Sequence, residues 1–243
     1  MRSFYVRLMT AILMLFPFRI ICAEEAKEFS GEASVSVLNK YITLSGSTCE
    51  SDPVVQPSLM ISHASGFYAN IWNSTGFEGS QGDEIDYFLG WAGDVIGLST
   101  DLSVGYFEYR QFFYGRSGNF FTVCGKIGKE FELGEFASAE PYVRIESDIA
   151  EKETDVGGGT LYTSGLKIKK TFKPLLLWVE PKVTYTDGIY DSESTVTFQA
   201  ESGVDYNCWR ELTLTPKAMV SIPSDDVGRK DEFVFGLTAA YAL

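Results

Sequence analysis

Apolar and polar side chains alternate along most of the chain after residue 33, and in a β-strand successive side chains point to opposite faces. The last eleven residues carry the pattern plainly. From Phe233 to Leu243 the odd positions are large and apolar, Ala239 excepted, while the even ones are Val, Gly, Thr, Ala and Ala. Leu98–Tyr109 is as clean: Leu98, Thr100, Leu102, Val104 and Tyr106 face one way, Ser99, Asp101, Ser103 and Gly105 the other. The same rhythm predicts twelve strands: Ser34–Tyr41, Val55–Ser62, Phe67–Asn73, Ile85–Trp91, Leu98–Tyr109, Phe120–Phe131, Glu140–Ile149, Thr160–Lys169, Leu175–Thr186, Thr195–Asp205, Glu211–Ile222 and Phe233–Leu243. The final strand must pair with an earlier one. Closing a barrel on the first strand leaves no edge.

The connections sort by parity. Thr43–Asp52, Ser74–Asp83, Arg110–Gly118, Ala150–Gly158, Asp187–Glu193 and Pro223–Asp231 are long and rich in Gly, Ser, Asp and Glu. Between them fall short ones, at His63–Gly66, Asp94–Gly97, Gly134–Ser138, Lys170–Pro174 and Tyr206–Cys208. Short periplasmic turns, longer outer loops and an even strand count are the signature of a bacterial outer-membrane barrel. A Greek-key sandwich has no reason to sort its loops this way. Aromatic residues near predicted strand ends (Trp72, Trp91, Tyr106, Tyr109, Trp178, Tyr185, Trp209 and Tyr241) fit the interfacial girdles of such a barrel.

The amino terminus adds an address. Arg2 and Arg7 precede an apolar run from Leu8 to Phe16, and Ala23 offers a small residue for cleavage, so residues 1–23 read as a signal peptide and 24–243 as the barrel domain. Pro17 and Arg19 keep the run too short for a membrane helix. The residues before Cys22 are Arg19-Ile20-Ile21, not the small ones that a lipidation site needs. Removing residues 1–23 takes away three arginines and no acid, moving the formal charge from −13 to −16. So acidic a chain is a poor partner for nucleic acid. Cys49, Cys124 and Cys208 are too few and too irregular for a disulfide framework or a metal centre. They read as three minor thiols, with one bridge among them as the alternative.

Catalytic chemistry finds little to stand on. His63 is the one histidine, beside Ser62 and Ser65 in a predicted turn, where sequence neighbours rarely make a nucleophile and its base. The pairs Asp83-Glu84 and Asp225-Asp226 read as solvated loop charge, and Gly157-Gly158-Gly159-Thr160 lacks the lysine of a phosphate loop. The expectation is no enzyme, no cofactor and no metal. The polar faces remain: Asp86, Asp101, Arg144, Glu146, Asp148, Lys167, Lys169, Glu180, Lys182, Glu201 and Asp205 would point into the lumen. There they either pair and fill it or select the solutes that pass.

From Ser34 to Tyr109 the chain resembles the TorF-type porin family, a Gcw-type conserved outer-membrane family. Pro53-Val54-Val55-Gln56-Pro57-Ser58-Leu59, Gly66-Phe67-Tyr68-Ala69-Asn70-Ile71-Trp72, Glu84-Ile85-Asp86-Tyr87 with Gly90, and Leu102-Ser103-Val104-Gly105-Tyr106 with Tyr109 carry the likeness. Where the family often has Arg-Gly near the end of the first strand, Leu44-Ser45 stand here. The resemblance implies an outer-membrane barrel with a pore. The expectation is thus an all-β, single closed antiparallel transmembrane barrel in a Gram-negative outer membrane. Its partners would be membrane lipid, the barrel-assembly machinery through the last strand, and small solutes or ions. The alternatives are a non-conducting surface barrel acting through acidic loops, and a soluble periplasmic sandwich that binds a ligand.

Overall fold

The computed structural model describes residues 28–77, 83–109, 119–151, 158–188, 194–224 and 229–243. Its strands are β1 (Phe29–Leu38), β2 (Tyr41–Ile42), β3 (Thr48–Glu50), β4 (Val54–His63), β5 (Phe67–Gly76), β6 (Glu84–Val95), β7 (Leu98–Tyr109), β8 (Phe120–Gly128), β9 (Phe131–Glu132), β10 (Ala137–Ala150), β11 (Gly159–Phe172), β12 (Leu175–Asp187), β13 (Thr195–Trp209), β14 (Leu212–Pro223) and β15 (Glu232–Ala242). Leaving aside the short β2, β3 and β9, twelve strands form one antiparallel ring in sequence order. The ring closes where β15 pairs with β1, Ala33 opposite Tyr241 and Val37 opposite Leu237.

Burial runs opposite to that of a soluble protein. Phe67 and Leu89 are each 64% exposed, while Thr184, Thr197 and Ser221 are 0% exposed. Val104, Val123, Val143, Ile145, Val183 and Phe235 share the outer surface with them. A continuous apolar exterior with hydroxyls inside is stable only against hydrocarbon, and a closed barrel is the one sheet that leaves no unpaired backbone there. The protein is a transmembrane β-barrel; the sandwich is excluded.

Several sequence expectations need correction. The first strand starts five residues and ends three residues before the expected Ser34–Tyr41, and Tyr41 belongs to the separate β2. Phe120–Phe131 is broken into β8 and β9. Trp72, Tyr109 and Trp178 are not girdle residues. Their neighbours Ile71 and Leu177 are the exposed ones, Tyr109 is 5% exposed, and all three lie on the inner parity of their strands. Nearness to a strand end says nothing about face; parity decides it. Tyr106, Tyr185 and Trp209 do lie on the exposed surface or at an exposed turn.

An arginine placed at Leu89 would sit in the lipid-facing belt. Leu89→Arg is expected to cost about 2–4 kcal/mol of folding free energy in bilayers, read as a lowered denaturant midpoint in vesicles. The same substitution at inner-facing Asn70 should cost far less, and equal losses at both sites would contradict the assignment of faces.

Candidate functional site

The connection from β1 to β4 folds into the barrel. Its β2–β3 hairpin carries Ser45 at 1% exposure, and groups on β13, three strands round the ring from β1, hold it. The Thr197 hydroxyl donates to the Ser45 carbonyl at 2.9 Å, Gln199 Nε2 donates to the Thr43 carbonyl at 2.8 Å, and Arg229 also donates to Ser45. On the near side the Tyr41 ring meets Trp72 edge-on, centroids 5.6 Å apart. Leu38, Ile42, Val54 and Val234 pack as a small apolar cluster that seats the hairpin. Gly46 has φ +79°, and a Cβ there would come within 2.9 Å of Thr197 Cγ2, so the tip accepts only glycine. Reading Thr43–Asp52 as an outer loop was therefore wrong. The tip is held by residues some 150 positions further along, beyond the reach of local pattern.

Beneath the hairpin lies a cavity of about 310 Å³. Five of the predicted inward charges line it: Asp86, Arg144, Glu146, Lys182 and Glu201. Asp148 lies two residues beyond Glu146 on the inner face of β10, opposite Thr122. Three charged lining residues were missing from the predicted set: Lys40, Lys217 and Glu84. Glu84, taken as loop charge, is 1% exposed and lies two residues from Asp86 on one face of β6. Glu84 follows the parity of Asp86, and that signal was available.

The remaining predicted charges, Asp101, Lys167, Lys169, Glu180 and Asp205, lie nearer the end where residues 28 and 243 sit, in a paired belt. Tyr68 Oη donates to Asp101 at 2.8 Å, Tyr142 Oη to Glu180 at 2.7 Å, and Trp178 Nε1 to Asp205 at 3.1 Å. Each ring lies across a glycine of the adjoining strand. A Cβ on Gly90, Gly165 or Gly203 would stand 2.4, 2.4 or 2.6 Å from the ring. Lys126 pairs with Glu140 at 3.6 Å, Lys167 with Glu180 at 3.7 Å, and Lys217 with Glu201 at 3.5 Å. Lys169 reaches Glu130 at 3.3 Å in the turn after β8. Higher up, Arg144 pairs with Glu146 and donates Nε–H to Cys124 Sγ at 3.1 Å. Cys49, Cys124 and Cys208 are free thiols.

His63 closes β4. Its Nδ1 lies 2.7 Å from Ser65 Oγ and accepts the Ser65 backbone N–H at 3.1 Å, while its ring packs on Phe29. These contacts cap a turn. Asp225 and Asp226, the residues 1–23 and Gly157 lie outside the described residues.

Comparison with known proteins agrees with this geometry. Residues 22–141 match the family described as "Bacterial protein of unknown function (Gcw_chp)". The match runs past Tyr109, where the likeness read from the sequence ended. No curated protein matches the chain. Among solved structures, the barrel is similar to the NanC porin at 7% identity, covering 87% of this chain and 100% of that one with a TM-score of 0.59. It is also similar to the COG4313 outer membrane channel from Pseudomonas putida F1, at 13% identity, 94% and 100% coverage and 0.59. The KdgM porin in complex with disordered oligogalacturonate gives 9%, 87% and 98%, and 0.53. At such identities the shared property is the fold: a porin-like barrel.

Gly165→Val would drive a side chain into the Tyr142 ring. The expected loss is about 1–3 kcal/mol, measured as a lower unfolding temperature in the gel-shift assay for folded barrels. The Glu130 carboxyl, in its turn, is held below the usual carboxylate range by the Ser138 hydroxyl and then by Lys169. A depressed folded value means that its contribution is present above the unfolded carboxyl's range and lost as pH falls through the folded one. Ser138→Ala should raise that value, followed by a carboxyl NMR titration; an unchanged titration would remove the hydroxyl as the cause.

Proposed function

We propose that this barrel is a narrow outer-membrane channel through which small solutes or ions pass passively. The single observation that carries the reading is a 310 Å³ chamber, lined by charged groups of both signs, inside an apolar-coated barrel. Asp86, Asp101, Arg144, Glu146, Asp148, Lys167, Lys169, Glu180, Lys182, Glu201 and Asp205 line the path, and the β2–β3 hairpin sets its narrowest point. The likeness to TorF-type porins over Ser34–Tyr109 supports this, as do neighbours described as porins and an outer membrane channel. In this reading residues 1–23 direct export and are cleaved, the barrel-assembly machinery engages β15, and the apolar belt meets outer-membrane lipid. A second reading is favoured by one observation: the β2–β3 hairpin lies inside the bore, with Ser45 and Thr43 held by Thr197 and Gln199. That reading is a non-conducting surface barrel.

Planar-bilayer recording separates the two. The folded protein is expected to give small ohmic steps, and replacing residues 40–52 with a short Gly-Ser linker should raise the step size several-fold. Folded protein that inserts yet gives no steps, with or without the hairpin, would end the channel reading.

A further inference from the structure

Most cavity charges cancel one another. Arg144 holds Glu146, Lys217 holds Glu201 at 3.5 Å, and Lys40 holds Glu232 at 2.5 Å. Three lining groups lack an opposite charge within ion-pairing distance among the described residues: Glu84 and Asp86, whose carboxyls hydrogen-bond each other and, from Glu84, Tyr41 and Tyr109, and Lys182. Glu84 Oε2 and Asp86 Oδ1 are buried without a hydrogen-bond partner among the described residues, on side chains 1% and 7% exposed that line the chamber. Lys182 forms no ion pair within 4.0 Å among the described residues. Its nearest acids, Glu201 and Glu180, are already engaged by Lys217 and Lys167. Buried polar groups in a folded protein nearly always have partners, so bare carboxylate oxygens and an unpaired ammonium around one space offer complementary contacts to a ligand of both charges.

The ring order fixes their arrangement. From β6 the ring runs through β7, β8, β10 and β11 to β12, which places the acids five strands away from Lys182 in a ring of twelve. The acids and the ammonium therefore face each other across the bore. The hairpin roofs the space between them, and the volume suits a solute of amino-acid or dipeptide size.

We propose that the chamber is a binding site for a small zwitterion, its ammonium against Glu84 and Asp86 and its carboxylate against Lys182. The inference rests on the channel reading and adds the solute class to it. A lone cation would leave Lys182 unmatched, and a lone anion would leave both acids so. The short paired belt below then receives a solute whose two charges can be handed between Lys167, Glu180 and Lys182 without leaving a charge bare.

The test uses the full folded chain in detergent micelles and three probes: the dipeptide Ala-Ala, its C-terminal amide, and its N-acetyl form. Calorimetry should give Ala-Ala an affinity at least about tenfold above either blocked form. Asp86→Asn should erase the preference for a free amine while keeping that for a free carboxylate, and Lys182→Met should do the reverse. The gel-shift assay confirms that each variant is folded, and Glu84→Gln stands in for Asp86→Asn if the latter is not. Equal affinities for the three probes, or no binding by a folded protein, would overturn the inference. Ion current in bilayers that Ala-Ala, the amide and the acetyl form reduce alike would overturn it too, and would leave the channel standing. Ala-Ala binding with the predicted variant pattern, in a protein that carries no current, would support the site and remove the channel.

Discussion

In hydrocarbon an unpaired peptide N–H or C=O costs several kcal/mol, with no water to relieve it. The pairing of β15 with β1, from Glu32 opposite Ala242 to Leu38 opposite Gly236, is what leaves no strand edge in this chain. Everything else is conditional on that seam. Once the sheet is closed, parity assigns each side chain irrevocably to lipid or lumen, and a slip by one residue would put Glu84 and Asp86 in hydrocarbon and Val104 in water. At the seam, Gly236 keeps the approach close: a Cβ there would stand 2.1 Å from the Val37 carbonyl oxygen.

Closure creates a second requirement inside. Twelve inner faces converge on a bore too narrow for bulk solvation of every charge, so the inward groups must satisfy one another. The chain meets this with a repeated unit: an aromatic ring laid over a glycine on the next strand, its polar tip on an acid of that strand or the one beyond. Tyr68 with Gly90 and Asp101, Tyr142 with Gly165 and Glu180, and Trp178 with Gly203 and Asp205 are three instances. The ring covers backbone that a glycine leaves bare and at the same time holds a carboxylate in place. Lys126 over Tyr142 and Lys167 over Trp178, at 4.4 and 5.2 Å from the ring centroids, complete the neutralisation.

The barrel was legible in the sequence because its two determinants are local. Period-two alternation fixes strand and face, and loop length fixes which end a turn belongs to; twelve strands follow from counting. The inner hairpin was not legible, since what brings Thr43 and Ser45 inside is Gln199 and Thr197 on a strand that forms far later in the chain. Some trace was present. Leu38, Phe107, Tyr109 and Val234 break the alternation with apolar groups on the polar parity, all at the end where the hairpin enters. Placing aromatics by proximity to strand ends misplaced Trp72, Tyr109 and Trp178 for the opposite reason: it ignored parity that the sequence did supply.

The two halves of the lumen now contrast in a way that bears on function. In the lower half nearly every charge is matched, and a matched belt rigidifies a wall without attracting anything to it. In the upper half, beside the hairpin, Glu84, Asp86 and Asp148 all carry buried oxygens with no partner among the described residues. Folding alone gains nothing from such groups, because a serine on the same inner wall, as at Ser74, accepts a hydrogen bond from Gln56 without carrying a charge. Their presence beside the hairpin, and the pairing of their counterparts nearer the other end, is what a path needs if it is to hold a charged solute briefly at one level and release it at the next.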